Sequence, residues 1–148
     1  MADIETVRDF VVRTGGLATV SVARDDGSVQ STLVNAGTLT HPVSGADVVG
    51  LVVRADTVKL RRVRRHPTLT VSWRDGWQWV TVEGHVTIAG PDDQLEGFTG
   101  DIPTLLRDVF KACGGTHDDW DAYDTVMAEE RRTALLIEPS RIYSNPGS

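Results

Sequence analysis

The segment RADTVKLRRVRRHP, Arg54 to Pro67, has the clearest chemical content in the chain. It holds six cations, Arg54, Lys59, Arg61, Arg62, Arg64 and Arg65, against one acid, Asp56, in a chain of net charge −6. Asp56 is a good N-cap, Leu60 and Val63 share a face, and His66-Pro67 is a stop. DTVKLRRVRRH therefore reads as a short helix directly after a strand. A helix N-terminus offers free N–H groups and a partial positive charge, and both favour an anion. Lys59 and Arg61 lie in the first turn or two, where they can close on a phosphate. Arg54, at the end of the preceding strand, reaches the same place. The competing reading is a solvated face with salt bridges to nearby acids. It is the expectation for Arg62, Arg64 and Arg65.

A second group is aromatic. WRDGWQWVTVEG places Trp73, Trp77 and Trp79 within seven residues. Trp77 and Trp79 share parity, so they point to one side of a strand. Such residues suit core packing, a planar ligand or a subunit interface. A third group is polar: alternation in GSVQSTLVNAG puts Gln30, Thr32 and Val34 on one face. Gln30 and Thr32 can hydrogen-bond a heterocycle, or can simply face solvent on an edge strand. His41, His66, His85 and His117 show no metal-ligand spacing. Cys113, the sole cysteine, excludes an internal disulfide and a multi-cysteine zinc site, and it reads as a small hydrophobe. No phosphate-binding glycine loop, nucleophile elbow or zinc-protease motif is present, and no candidate triad.

The elements that must position these groups follow from composition and periodicity. At 148 residues, 40% hydrophobic and 24% charged, the chain is expected to be one domain, 1–148, with a real core. No apolar run has membrane-spanning length, and the acidic N-terminus is unlike a signal peptide. The cytoplasm is the expected compartment, with no membrane partner. Net acidity argues against a nucleic-acid partner. A basic cluster on an acidic body suits a small anionic ligand instead.

Ile4, Val7, Phe10 and Val11 predict a helix ending near Gly15-Gly16. LATVSVAR and VQSTLV, around DDGS, predict a hairpin. VVGLVVR is a buried strand. TLTVSW and WQWVTVEGHVTIAG flank the hairpin signal Asp75-Gly76. PDDQLEGF, IPTLLRDVFKACGG and DDWDAYDTVMAEE read as helical, the last capped at Asp118 or Asp119, and TALLIEPSRIY is a closing strand. Five or six mostly antiparallel strands with peripheral helices suggest a small α+β barrel.

In their order, LATVSVARDDGSVQST, VKLRRVRRHPTLTVSW, DGWQWVTVEGHVTI and HDDWDAYDTVMAEERRTALLIEPSRIYS resemble the split-β-barrel flavin/deazaflavin oxidoreductases related to pyridoxamine 5′-phosphate oxidase. The resemblance covers nearly the whole chain. It is strongest to the actinobacterial branch that uses coenzyme F420, a 5-deazaflavin. It implies a six-stranded antiparallel split barrel and a homodimer with the cofactor in a groove between subunits. Lys59 would bind the cofactor phosphate, with Arg54, Thr57, Val58 and Arg61 around it. The strand of Trp77, Gln78, Trp79 and Val80 would approach the cofactor, Trp120 and Asp121 would border the groove, and Gln30 and Thr32 would line the ring pocket. The chain departs from many relatives in carrying Thr57 where they have an arginine two residues before the helix lysine. The implied activity is hydride transfer between coenzyme F420 and a small conjugated or heterocyclic substrate. The alternatives are an FMN enzyme of the same fold and a non-catalytic F420 carrier. Coenzyme F420 carries a phosphate and a polyglutamate tail, which several arginines suit better than they suit the single phosphate of FMN.

Overall fold

The computed structural model describes residues 2–145. The chain runs α1 (Ile4–Thr14), β1 (Leu17–Ala23), β2 (Val29–Asn35), β3 (Gly37–Thr40), β4 (Asp47–Val53), α2 (Val58–Arg65), β5 (Thr68–Asp75), β6 (Gln78–Ala89), α3 (Ile102–Ala112), α4 (Trp120–Glu129) and β7 (Thr133–Ser144). All strand pairs are antiparallel, in the order β2-β1-β5-β6-β7-β4-β3.

The two edges of this order, β2 and β3, are separated only by Ala36. They are two halves of one bent strand. The first half pairs with β1 (Leu17 opposite Asn35) and the second with β4 (Gly37 opposite Gly50). Switching partners in mid-strand closes the sheet on itself, which gives the expected six-stranded barrel with one strand divided. The bend is held from inside. The Ala36 N–H donates to the Gly16 carbonyl at 2.8 Å, and the buried Trp73 indole N–H donates to the Ala36 carbonyl at 3.2 Å.

The barrel interior is filled by inward residues of alternating strands. Val20 and Val22 of β1, Leu51 and Val53 of β4, Val71 and Trp73 of β5, Val80 and Val82 of β6, and Leu135 and Ile137 of β7 form one cluster. Helices α1 and α2 add Val7, Phe10, Val11, Leu60 and Val63 to it. A second cluster lies outside the barrel, where α3 and α4 pack Leu105, Leu106, Val109 and Tyr123 against Val48, Ala134 and Leu136. Strands β4 and β7 are thus covered on both faces, which explains their unbroken apolar runs.

Two expectations are corrected. The helix cap is Thr57, not Asp56: Thr57 is extended (φ −79°, ψ 147°) and its hydroxyl accepts from the Leu60 N–H at 3.4 Å. PDDQLEGF forms turns instead of a helix. Gly97 there adopts φ +82°, and helical structure resumes only where Asp101 caps α3 with Pro103 in its first turn. Asp92 and Asp93 of this stretch serve as carboxylate partners of Arg131 and Arg64.

Candidate functional site

The end of β4 and the start of β7 are adjacent in register, with Val53 opposite Thr133. Arg54 follows the first and Arg132 precedes the second, so antiparallel pairing brings these two cations together. Helix α2 starts four residues after Arg54, and its buried Leu60 and Val63 fix its rotation. Lys59 is thereby set beside the arginines. A cavity of about 420 Å³ opens here. Arg54, Thr57, Lys59 and Arg132 line it together with Phe110, Cys113, Tyr123 and Met127. Leu33, Val34 and Asn35 at the end of β2 complete the wall.

The electrostatics separate the cations of the basic segment into two kinds. Arg62 and Arg65 both contact Asp25, at 3.1 and 2.8 Å, and Arg64 forks onto Asp93. These three are the salt-bridged face that periodicity predicts. Lys59 is different. It is half-buried, burial alone pushes its ammonium below the usual lysine range, and no carboxylate among the described residues offsets this. The first turn of α2 contains no acid either. Arg61 is exposed two residues along, on another side of the helix, and does not line the cavity. Arg54 has only loose ion pairs, with Asp56 and Glu130, both at 3.7 Å.

Gln30 and Thr32 lie on the face of β2 that also carries Val34, a cavity residue, but neither lines the cavity itself. Gln30 Oε1 and Thr32 Oγ1 are buried and meet no hydrogen-bond partner. An orphaned buried polar group costs about 1–3 kcal/mol. Native structures keep few such groups, and a ligand is one way to satisfy them.

The remaining expected residues lie elsewhere in the chain. Val58 is exposed at the start of α2. Val80 is fully buried in the barrel interior and paired with Trp73 and Ser144, so it offers a ligand no surface. Trp77, 93% exposed, forms the tip of the β5–β6 hairpin, which Asn145 steadies by donating to the Trp77 carbonyl and accepting from the Trp79 N–H. Gln78 accepts from Arg13. Trp79 stands edge-on to Tyr143. Trp77 and Trp79 line a separate hollow of about 700 Å³ on the open outer face of the sheet, with Leu17 and Leu33. Leu33 borders both cavities. Among the described residues the larger hollow has Arg74 as its one charged side chain, whereas the smaller one brings Arg54, Lys59 and Arg132 together. Trp120 stands behind the cavity wall, against Phe110 and Tyr123, with Arg107 and Lys111 over its ring. Asp121 is exposed, and its carbonyl accepts from Thr125.

Sequence reasoning missed Arg132, Phe110, Tyr123 and Met127. Their proximity to Lys59 depends on the β4–β7 register and on the packing of α3 and α4, neither of which leaves a local pattern. Neither acid in the wall is set to ionise. Burial pushes the Cys113 thiol up to about 12, and burial raises Tyr123, whose hydroxyl donates to the Leu106 carbonyl at 3.2 Å. Among the described residues no His, Cys, Asp and Glu group could hold a metal, and no helix is long and apolar enough to cross a membrane.

No model of a known protein family matches the chain. Several solved structures are similar to it. A conserved hypothetical protein from Mycobacterium tuberculosis is 21% identical over 97% of this chain and 84% of its own, with a TM-score of 0.67. An F420 reductase is 15% identical over 90% and 93%, with a TM-score of 0.59. A pyridoxamine 5′-phosphate oxidase-related, FMN-binding protein from Nostoc punctiforme is 9% identical over 97% and 84%, with a TM-score of 0.64. At these identities the likeness is one of fold: the chain is a split β-barrel of the kind found in flavin- and deazaflavin-binding proteins.

Proposed function

We propose that the protein is an oxidoreductase that binds coenzyme F420 and passes a hydride between it and a small conjugated or heterocyclic molecule. The observation that carries this reading is Lys59, a half-buried cation with no carboxylate partner beside Arg54 and Arg132 in one cavity. A buried charge without a counter-ion is costly, and an anionic ligand removes the cost. The residues present fit such a ligand. Lys59 and the first-turn N–H groups of α2 would hold the phosphate, with Thr57 beside it. Phe110, Tyr123 and Met127 offer the ring an apolar wall.

The bound deazaflavin would supply the hydride-carrying ring. The chain would bind, orient and exclude water, which is what hydride transfer chiefly asks of a protein. With Cys113 and Tyr123 both held protonated, no wall side chain acts as a base at neutral pH. Several cations favour a ligand with several anionic groups, and so favour coenzyme F420 over FMN.

The reading includes a homodimer. The outer face of β2, β1, β5 and β6 has no helix over it, and it exposes Leu17, Val29, Leu33, Trp77 and Tyr143 of β7. A second copy on this face would cover them and bring another wall to the cavity edge at Leu33. The test is fluorescence titration with coenzyme F420 and, in parallel, FMN. Tighter binding of coenzyme F420, followed by turnover with a conjugated acceptor, is expected. Preference for FMN moves the protein to flavin chemistry. Binding without turnover of any acceptor makes it a carrier, and binding of neither removes the cofactor reading.

A further inference from the structure

We propose that Arg54 and Arg132 form a second anion subsite, distinct from Lys59, that takes a carboxylate, and that Glu130 occupies it as an internal placeholder. The identity of the incoming ligand rests on the cofactor reading above; the subsite itself rests on the following geometry.

Glu130 is the C-cap of α4 and Arg132 opens the approach to β7. Between them Arg131 adopts φ +50°, a left-handed conformation that is uncommon for a side chain of this size. The N–H groups of Arg131 and Arg132 bond back to the carbonyls of Ala128 and Met127 and hold the reversal in place. This turn lets Glu130 and Arg132 converge on Arg54. The Arg132 Nε donates to Glu130 Oε1 at 3.1 Å, and its Nη2 lies 3.0 Å from the same oxygen. The other carboxylate oxygen lies 3.7 Å from Arg54 Nη1. One carboxylate therefore spans two guanidinium groups that both line the Lys59 cavity.

Three arginines elsewhere in the chain show the contrast. Arg64, Arg107 and Arg131 each fork two hydrogen bonds onto a single carboxylate. Arg54 makes no hydrogen bond to either of its acidic neighbours, since both stand at 3.7 Å. Its charge is balanced while its donors are not engaged. A ligand carboxylate seated between Arg54 and Arg132 would engage the Arg54 donors as well as those of Arg132, a gain that Glu130 does not provide. The Glu130 side chain is 27% exposed, at the rim, so it can turn to solvent when displaced. That a carboxylate already sits there shows which chemistry the subsite accepts. Lys59 would then hold one anionic group and the arginine pair another.

The test compares wild type, Glu130→Gln and Arg132→Gln, each checked for an unchanged circular dichroism spectrum. The ligands are coenzyme F420 with its glutamate tail and the deazaflavin chromophore lacking both phosphate and tail. Glu130→Gln is expected to tighten the tailed ligand by about fivefold, the scale of an exposed ion pair, and Arg132→Gln to weaken it by about as much. The chromophore should bind all three proteins alike. Equal changes for both ligands, or no change for the tailed one, would overturn the subsite. Citrate is titrated calorimetrically against the same proteins, so that failure of the cofactor reading is told apart from failure of the subsite. If no deazaflavin binds but citrate prefers Glu130→Gln over wild type and disfavours Arg132→Gln, the cofactor reading falls and the subsite stands. Equal citrate affinity in all three proteins overturns the subsite.

Discussion

Lys59 concentrates the functional argument into one residue. Its folded pKa is lowered by burial, so the unfolded chain holds that proton more tightly than the native one. The charged amine is thus a stability cost below its folded pKa. The cost is relieved as pH rises through that value toward the ordinary lysine value of 10.5. An anion at the amine acts the other way and favours the charged form. Two outcomes are expected. Lys59→Met leaves the free protein at equal or higher Tm, while deazaflavin affinity falls at least about tenfold, the scale of a lost charge-assisted hydrogen bond. Wild-type affinity also falls as pH climbs through the lowered pKa, whereas Lys59→Arg holds its affinity to higher pH because a guanidinium stays charged. Parallel titrations across the alkaline range, with thermal melts, check both. Lys59 was legible in the sequence because it is one of two lysines among thirteen arginines and sits at a helix start. Arg132 was not, since nothing local marks it off from Arg131, which points elsewhere and pairs with Asp92.

At the scale of elements, α2 is short and depends on two anchors. Leu60 is fully buried in the barrel interior. Leu60→Ala is expected to cost about 2–5 kcal/mol and to weaken anion binding with it, because the anchor sets the direction of Lys59. Arg64→Ala, which removes a surface pair, should cost about 1 kcal/mol or less and leave affinity unchanged. Urea melts and titrations on both variants separate anchoring from surface charge. A second dependence lies where the bent strand meets α3. A Cβ on Gly37 would stand 2.0 Å from the Ala112 carbonyl oxygen. Gly37→Ala should therefore push α3 off the sheet and destabilise by at least about 1–3 kcal/mol. Strands rich in β-branched residues and the capped helices could be read from the chain. Gly37–Thr40 could not: it is short, and it is a strand only because β4 lies beside it. The turns over residues 91–98 misled for the opposite reason, since their acidic and apolar residues look helical while their glycine and ion-pair partners hold another path.

At the scale of the molecule, the open sheet face is the surface on which the proposed dimer would form. Leu33 is 68% exposed there and also borders the Lys59 cavity. Light scattering is expected to give the mass of a dimer. Leu33→Asp should shift the protein toward monomer and weaken deazaflavin binding together, whereas an unchanged dimer with Leu33→Asp would place the interface elsewhere. By itself the sequence determined the class of element at most positions, the antiparallel α+β plan and the concentration of cations at one helix start. These depend on local periodicity, capping and charge, all carried by neighbouring residues. Tertiary structure alone decided which cations lack a carboxylate partner, that Arg132 and Glu130 meet Arg54, and that one strand divides to close the barrel. Each of these depends on register between segments far apart in the chain, and register is set by packing of the whole core.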